Sequence, residues 1–344
     1  MREWLLYAPD SQINEATRYY IDTISRAGRD LGLELRHVRS IADVPIKANV
    51  LAIECKSAFK LRVARPEARC WLWMQGVVPE EARLQFGSCW REALWNFFER
   101  KTLARAPGLL MVSQAMRAHF SRKYGLGDVP TFVMPCVNAE IDPASFLKSD
   151  KYLQPSFVYA GSLHAWQCFD LTLAVYRLVK ARCPQATLTV LTRELEGARQ
   201  AVEAAGLSDV EIEFVPLEKL QARLARYKYG FVLRRPHLVN SVATPTKISS
   251  YMAAGVIPVM STAVEDYTAA MREVRPLVMC AILEAETIAD AILELETQAL
   301  QGDDVLRSYR ALFENYFDHA GYAATLRQFL RDTGLQGDSP DCCR

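Results

Sequence analysis

The chain has 344 residues, of which half are apolar and about a quarter are charged. This length exceeds one ordinary domain of roughly 100 to 200 residues, so two domains are expected. The composition excludes disordered and fibrous proteins. With 41 basic and 40 acidic residues the formal net charge is +1, which argues against a nucleic-acid partner. Any electropositive site must therefore be a local cluster.

The ends of the sequence and its cysteines are typical of a cytoplasmic protein. The opening stretch "MREWLLYAPD" is too briefly apolar for a signal peptide, and no later segment reaches the ~18 apolar residues that a membrane span needs. The nine cysteines are an odd number without metal-binding spacing, which predicts reduced thiols. Residues 333–344 end in adjacent cysteines, and we expect a flexible tail there.

Residues 1–137 alternate short β-branched or aromatic runs with longer stretches of helical period, a pattern typical of a parallel α/β domain. The stretch 14–32 ends on a glycine that suits a helix C-cap, and the stretch 113–125 begins on a serine that suits an N-cap. We predict six strands, in chain order WLLYA, LELRHV, VLAIEC, CWLWMQ, GLLMVS and TFVMPCV.

An aromatic helix is predicted between the fourth and fifth of these strands. Its stretch "CWREALWNFFERKTLARA" combines large apolar side chains with basic ones, which permits two interpretations. Apolar residues at helical spacing usually face a core, and we expect that here. Peripheral contact with a lipid surface is the alternative. The residues concerned are Trp90, Leu94, Trp95, Phe97 and Phe98, with Arg91, Arg100, Lys101 and Arg105 nearby.

A polar stretch with two prolines, 138–155, shows neither period and is predicted to be a linker. After it the same alternation resumes in a second domain, 156–310. We predict five strands there, in chain order SFVYAG, TLTVLT, VEIEFV, YGFVLR and VIPVMS. A last helix, 311–332, is expected to return toward the first domain.

Positively charged residues follow the predicted strands of the second domain. In open parallel sheets ligands bind beyond the carboxyl ends of the strands, where helix N-termini present free N–H groups. A single arginine there is readily explained as a solvated loop residue, but four cations at one rim predict an anion site. The strand ends carry Arg193, Arg234 and Arg235, the helix before the fifth strand carries Lys247, and the first strand is followed by Gly161, Ser162, His164 and Trp166.

Lys247 lies in the stretch "VNSVATPTKISSYMAAGVIPV", where a helix is predicted to begin. Thr244 suits the N-cap, Pro245 the first helical position and Gly255 the residue beyond the end. A lysine near a helix N-terminus costs about 0.3 to 1 kcal/mol unless an anion neutralises it. A diphosphate bound by Lys247, the neighbouring arginines and the backbone N–H groups of Thr246 and Lys247 would neutralise it.

The same stretch resembles the donor-binding segment of GT-B glycosyltransferases, particularly the retaining family-four enzymes of bacterial polysaccharide synthesis. An asparagine, a proline-x-lysine, a tyrosine and an alanine-glycine-x-proline turn occur in that order. "YAGSLHAW" resembles the opening of their donor domain, and "WMQGVVPEEA" resembles a loop of their acceptor domain. "MVSQAMRAHFSRKYG" and "VMPCVN" resemble the end of that acceptor domain, so the resemblance covers most of the chain from Trp71 to about Tyr267.

The resemblance implies two Rossmann-like domains facing across a cleft, the first for the acceptor and the second for a nucleotide-diphosphate sugar. It also implies that no cofactor or metal is required, and the pair Asp303 and Asp304 lacks the spacing of a metal site. Lys247 and Arg234 would be the catalytic residues, at the diphosphate. The further donor-binding residues would be Gly161, Ser162, His164, Trp166, Arg193, Asn240, Thr246, Ser250 and Tyr251, and the acceptor-side residues would be Gln75, Gly76 and Glu80.

The chain departs from the family pattern at two positions. Family members carry a glutamate just before the tyrosine, thought to hold the nucleotide ribose, and this chain has Ser250 there. A second carboxylate, eight residues earlier in the family, is replaced by Val242. A serine hydroxyl can still bond a ribose hydroxyl, so nucleotide binding is still expected.

Cleavage of a sugar–phosphate bond places negative charge on the leaving diphosphate, which fixed cations stabilise more in the transition state than in the ground state. The resemblance implies retention, with the acceptor hydroxyl attacking from the face that the diphosphate leaves. No protein base is identified, because Glu80 and Glu81 are predicted to be solvated loop carboxylates and His119 a helix-face histidine.

The function predicted from these residues is sugar transfer to a saccharide or lipid-linked saccharide in surface polysaccharide synthesis, such as O-antigen, capsule or exopolysaccharide. The protein would be cytoplasmic, with peripheral membrane contact an open alternative. Two other functions remain open at this stage. They are a nucleotide-sugar epimerase or hydrolase of the same fold, and a non-catalytic sugar-nucleotide-binding subunit.

Overall fold

Two six-stranded parallel sheets form the framework of the chain, and helices connect their strands. The computed structural model describes residues 2–9, 13, 15–148 and 150–335. The sheets belong to two compact units. The first contains the chain up to residue 136, the short segment 241–244 and the chain from residue 318, and the second contains residues 137–240 and 245–317. The α/β class with two parallel-sheet domains is therefore confirmed.

The first sheet has the strand order β2-β1-β3-β4-β5-β6, with every neighbouring pair parallel. Its central strands read as nearly continuous apolar runs because both faces of a parallel sheet are covered, and Trp71 and Trp73 are fully buried. The strands are β1 (Arg2–Tyr7), β2 (Leu33–Val38), β3 (Asn49–Ile53), β4 (Arg69–Met74), β5 (Leu109–Met111) and β6 (Thr131–Val133). The helices among them are α1 (Glu15–Arg29), α2 (Cys55–Ala64), α3 (Val78–Phe86), α4 (Cys89–Thr102) and α5 (Gln114–Tyr124).

The second sheet has the strand order β12-β11-β10-β7-β8-β9, again parallel throughout. This is the strand order of a dinucleotide-binding Rossmann sheet. The strands are β7 (Ser156–Ala160), β8 (Thr187–Leu191), β9 (Val210–Glu213), β10 (Tyr229–Val232), β11 (Ile257–Ser261) and β12 (Val278–Cys280). The helices are α6 (Phe169–Arg182), α7 (Leu195–Ala204), α8 (Leu217–Leu224), α9 (Leu238–Ser241), α10 (Thr246–Ala253), α11 (Glu265–Ala270), α12 (Ala285–Glu296) and α13 (Gly302–Asn315).

The stretch that the sequence predicts as a linker, 138–155, is packed into the second unit. The Asp142 N–H donates to the Ala253 carbonyl at 3.0 Å. The buried Lys151 ammonium donates to the carbonyls of Ala225 and Ala254 at 3.0 and 2.7 Å, and the Tyr152 hydroxyl donates to the Gly255 carbonyl at 2.8 Å. These long-range bonds explain how a polar segment without periodicity is ordered.

The last helix, α14 (His319–Asp332), belongs to the first unit. Thr333, predicted to start a tail, accepts a hydrogen bond from the Trp71 indole N–H at 2.9 Å. The rest of the predicted tail, from residue 336, lies outside the described residues, together with Cys342 and Cys343. The seven described cysteines are free thiols. Within the described part of the chain, no helix combines the length and the apolar character needed to cross a membrane.

Candidate functional site

The second sheet reverses its strand order between β7 and β10, which are neighbours in space although β8 and β9 intervene in sequence. At such a switch point the connecting segments leave the carboxyl ends of the strands in opposite directions and open a crevice where ligands bind. Gly161 follows β7 directly, and Arg234 lies two residues beyond β10. Both residues therefore stand at the position that the topology favours for a ligand.

Helix α10 begins at Thr246, with Pro245 as its N-cap. The predicted N-cap, Thr244, is wrong, because its hydroxyl instead accepts a hydrogen bond from the Cys136 N–H at 3.3 Å. Lys247 is thus the second residue of the helix and not the third. The first N–H groups of a helix have no partner within it, and none of the hydrogen bonds among the described residues satisfies those of Thr246 and Lys247.

The Lys247 side chain extends from α10 over the loop that follows β7. Its ammonium donates to Gln167 Oε1 at 2.6 Å and lies 4.5 Å from the centre of the Tyr159 ring. Gly161 leaves the space for it, because a Cβ there would lie 2.6 Å from Lys247 Cε and 2.7 Å from its Nζ. The φ of Gly161 is +138°, a value that also favours glycine.

Arg234 is 6% exposed and is fixed by neutral groups. Its Nη1 donates to the Trp166 carbonyl at 3.2 Å, and Asn240 Oδ1 lies 3.5 Å from the same nitrogen. Ser261 anchors the Arg234 backbone, since the Ser261 hydroxyl donates to the Arg234 carbonyl at 2.7 Å. Asn240 is held in turn, because its Nδ2 donates to the Arg235 carbonyl at 2.9 Å.

Lys247 and Arg234 form a cationic pair that lacks a counter-ion within the described residues, since neither belongs to an ion pair there. Burial lowers the pKa of Lys247 well below its ordinary value, and the nearby Arg234 guanidinium lowers this pKa further. Burial also lowers the pKa of Arg234. Two desolvated like charges destabilise each other, and a bound anion would reverse both effects. The geometry therefore suits a ligand that carries adjacent negative charges, such as a diphosphate.

The other two predicted cations do not join this pair. Arg235 is exposed and forms an ion pair with Asp170 at 2.9 Å. Arg193 is also exposed, and its guanidinium stacks 5.3 Å from the centre of the Phe214 ring. Of the four predicted cations, only Lys247 and Arg234 therefore have neither a counter-ion nor an exposed position among the described residues.

The predicted loop residues after β7 form a hydrogen-bonded turn. The Tyr159 hydroxyl donates to the Ser162 carbonyl at 2.5 Å, and the Ser162 hydroxyl accepts from Gln167 Nε2 at 3.4 Å. The exposed His164 ring stacks on the Trp166 ring with their centres 4.6 Å apart. Ser162 therefore shapes the turn that presents Gln167 to Lys247, while the two stacked rings stand at its outer side.

Ser250 and Tyr251 are buried on the inner side of α10. The Ser250 hydroxyl lies 2.7 Å from Asn138 Oδ1 and 3.0 Å from the Thr246 carbonyl, so its single proton is used inside the protein. The Tyr251 hydroxyl accepts from the Ala160 N–H at 2.8 Å. Tyr251 is fully buried, and this bond holds α10 against β7.

The predicted acceptor-side residues lie in the first unit, where β4 leads into α3. Gly76 makes room for the Glu81 carboxylate, which accepts from the Val77 N–H at 3.1 Å. Gln75 Nε2 is buried, and no other described residue forms a hydrogen bond with it.

Glu80 is not the solvated loop carboxylate that the sequence suggests. It lies in the first turn of α3 and accepts from Lys123 Nζ at 2.7 Å, with His119 Nε2 at 3.2 Å. Burial raises the pKa of Glu80, but the bonds from His119 and Lys123 outweigh this and lower it. Glu80 is therefore an ionised, paired carboxylate.

Several residues of the site are missed by sequence reasoning. Gln167 and Ser261 reach Lys247 and Arg234 through contacts 80 and 27 positions apart in sequence, and no local pattern marks them. Tyr159 reads as one more apolar strand residue. In the described part of the chain no three metal-binding side chains gather, and Asp303 and Asp304 lie in the first turn of α13. Metal independence stays a prediction.

No protein-family model and no curated protein matches the sequence. Among solved structures, the chain is similar to sucrose-phosphate synthase from Thermosynechococcus elongatus (TM-score 0.71, 12% identity, 96% of this chain and 99% of that one). It is also similar to Anabaena Alr3699/HepE in complex with UDP and glucose (TM-score 0.68, 13% identity, 96% and 100%). A third is a mutant of S. aureus TarM in complex with Fondaparinux, alpha-GlcNAc-glycerol and UDP (TM-score 0.61, 12% identity, 83% of this chain).

The chain spans 56% of the length of TarM, and nearly the whole length of the other two proteins. At these levels of identity the similarity is one of fold. It confirms the predicted GT-B fold class for the two parallel-sheet units.

Proposed function

We propose that this chain is a glycosyltransferase whose second unit binds the diphosphate of a nucleotide sugar. The observation that carries the proposal is the buried pair Lys247 and Arg234, without a counter-ion among the described residues, at the switch point of a Rossmann sheet. The donor would be a nucleotide-diphosphate sugar, in keeping with the UDP present in the structures of HepE and TarM.

The two cations would act most strongly in the transition state. As the bond between the sugar and the phosphate breaks, negative charge collects on the leaving diphosphate, next to Lys247 and Arg234. Fixed positive groups stabilise that charge without reorganising. The N–H groups of Thr246 and Lys247 would add two donors at the same end of α10. This arrangement supplies leaving-group stabilisation from protein groups, and the proposed reaction needs no metal.

We propose retention at the anomeric carbon, with the acceptor hydroxyl attacking on the face from which the diphosphate departs. A phosphate oxygen would take the hydroxyl proton, since the candidate carboxylate Glu80 is already paired with Lys123. The acceptor would be a saccharide or lipid-linked saccharide of surface polysaccharide synthesis. The donor domain resemblance to family-four enzymes supports this acceptor class and a cytoplasmic reaction.

The test is to incubate the protein with a panel of nucleotide sugars and to measure released nucleotide with and without saccharide acceptors. Acceptor-dependent release is expected. In the Lys247→Ala variant we expect turnover to fall at least about 100-fold, because an interaction of roughly 3 kcal/mol or more with the leaving group is lost. Arg193→Ala is the matched control, since it removes an exposed cation that lies on Phe214. Unchanged turnover in Lys247→Ala would overturn the site assignment.

A second candidate function, binding of a sugar nucleotide without catalysis, is favoured by one observation. Ser250 replaces the glutamate of the family, and its hydroxyl is engaged by Asn138 and the Thr246 carbonyl. Binding of a nucleotide sugar without any turnover in the same panel would support this second function. Epimerised donor without transfer would support the epimerase alternative.

A further inference from the structure

Helix α4 turns polar side chains inward and aromatic side chains outward. The buried residues of this helix are Glu99 and Thr102. In contrast, Trp90 is 67%, Leu94 44% and Phe97 46% exposed. The sequence-based expectation that the aromatic residues of this helix face the core is therefore wrong for these positions, although Trp95 and Phe98 are partly covered.

A buried ionic cluster explains this orientation. Lys123 on α5 lies 3.2 Å from the Glu99 carboxylate, which also accepts from the Tyr124 hydroxyl at 2.5 Å. The Thr102 hydroxyl donates a hydrogen bond to the Phe98 carbonyl at 2.7 Å. A buried carboxylate must be paired and hydrogen-bonded, so the face of α4 that carries Glu99 is fixed inward. The aromatic residues on the opposite face then have no core to enter.

Cations from two helices, α4 and α2, lie over aromatic rings at this surface. The Arg91 guanidinium lies 4.3 Å from the centre of the Phe86 ring and 5.7 Å from that of Trp90. Lys101 lies 5.8 Å from the centre of the Phe97 ring. From α2, Lys56 lies 5.6 Å from the Trp95 ring. The exposed residues Phe86, Trp90, Leu94, Phe97 and Lys101, together with the half-buried Arg91, are called the aromatic–basic face.

The charge on this face has one sign. Helix α2, which packs beside α4 through contacts of Phe59 with Phe97 and Phe98 at 5.6 and 5.0 Å, carries lysines and an arginine and no acidic residue. The acidic residue Glu92 of α4 is neutralised by Arg83 at 2.7 Å. Large exposed apolar side chains complement an apolar layer, and the cations around them complement negative charges at the boundary of that layer.

We propose that the aromatic–basic face binds the surface of a membrane that contains anionic phospholipids. Tryptophan and phenylalanine rings would insert at the level between headgroups and acyl chains, and Arg91 and Lys101 would remain at the headgroup phosphates. Only the biological role of this membrane binding rests on the proposed function, since a lipid-linked acceptor presents its sugar at such a surface. The binding itself requires neither donor nor turnover.

The test is co-sedimentation of the full chain, without nucleotide sugar, with phosphatidylcholine vesicles that do or do not contain phosphatidylglycerol. We expect binding to the anionic vesicles, weakened by salt. Trp90→Ser with Phe97→Ser should lower the vesicle affinity by at least about tenfold, since each buried aromatic contributes well over 1 kcal/mol. Arg91→Gln with Lys101→Gln should lower it by about fivefold per cation.

Leu153→Ser is the matched control, because Leu153 is 71% exposed and belongs to the second unit. It should leave vesicle binding unchanged, and thermal melting should show that all variants fold. Absence of binding to anionic vesicles would overturn the proposal, and so would double variants that bind as tightly as the natural chain. A dimer of the natural chain that is disrupted only by the Trp90 and Phe97 substitutions would also overturn it, because the face would then bind a second copy of the chain. Vesicle binding by a chain that transfers no sugar would contradict the proposed function alone.

Discussion

Gly161 and Lys247 are complementary: the space that a Cβ on Gly161 would occupy, 2.7 Å from the lysine Nζ, is the space the ammonium needs. The two residues are 86 positions apart and come from the loop after β7 and the first turn of α10. Any side chain at position 161 would therefore move the ammonium away from Gln167 and Tyr159. The position of the Lys247 ammonium therefore requires a residue without a Cβ at position 161.

Gly161→Ala should weaken the binding of UDP by at least about tenfold, because the displaced ammonium loses a charge-assisted bond of roughly 1.5 to 3 kcal/mol. The measurement is isothermal titration with UDP. Gly206→Ala is the matched control, since Gly206 also has a positive φ, +70°, but a Cβ there would meet no atom within 4 Å. Both variants should lose stability, and only the first should lose affinity. Equal affinities in the two would contradict the role given to Lys247.

The lowered pKa of Lys247 predicts a pH dependence of binding. Below that pKa the ammonium is charged in the free protein, and affinity for a diphosphate is constant. As pH rises through the pKa of Lys247, the free protein loses the ammonium proton, whereas the complex keeps it. The affinity for the diphosphate therefore falls by at most about tenfold per pH unit.

The pH dependence is measured with UDP-glucose, whose diphosphate keeps its charge in this range. In Lys247→Arg the guanidinium stays protonated, and the fall with pH should disappear even if the affinity is lower throughout. A fall that persists in Lys247→Arg would assign the titration to another group.

Ser250→Ala should change the affinity for UDP by less than about threefold. The Ser250 hydroxyl already donates within the protein, to Asn138 Oδ1 or to the Thr246 carbonyl, and the remaining bond of Ser249 to Asn138 Oδ1, 3.3 Å long, is kept. A change of 1.4 kcal/mol corresponds to a factor of ten. A tenfold loss of UDP affinity with unchanged melting temperature would mean that Ser250 contacts the ribose directly.

Lys151 predicts a rise of stability with pH. Burial lowers its pKa to about 7 in the folded chain, against about 10.4 when exposed in the unfolded chain. Below pH 7 both states hold the proton and the penalty for burying the charge is complete. Between these two values the unfolded state holds more protons, so rising pH stabilises the folded state by up to about 1.4 kcal/mol per pH unit from this group.

The effect of Lys151 is isolated by comparison with Lys151→Met, because other titrating groups contribute equally to both proteins. Urea unfolding at several pH values should show the stability of the natural chain, relative to the variant, increasing from neutral to alkaline pH. A difference that is constant with pH would show that the Lys151 ammonium keeps an ordinary pKa.

Local sequence was sufficient for the strands and for part of the site. Buried parallel strands such as β4 and β10 read as apolar runs, and the residues that follow them must lie at the sheet edge. That rule places Arg234 and Gly161 correctly. The strand β12 was missed because its three residues, Val278–Cys280, are too few to show a period.

The rest depends on partners that are distant in sequence. Arg235 and Arg193 follow strands just as Arg234 does, but Asp170 and Phe214 direct them elsewhere. The orientation of α4 is set by Lys123, which pairs with Glu99 from another helix. Helical periodicity identifies an apolar face, but it does not show whether a stronger polar requirement on the opposite face will turn it outward.

The return of α14 to the first unit has a consequence for the order of synthesis. The first sheet is complete at Val133, yet Trp71 and Phe132 make contacts with Thr333 and Phe329, which are synthesised nearly 200 residues later. The second unit is almost one uninterrupted segment and is available for folding first. During synthesis, we therefore expect the first sheet to lack the contacts of α14 until that helix has been made. A chain truncated after Phe317 should aggregate through the surface of the first sheet that α14 contacts.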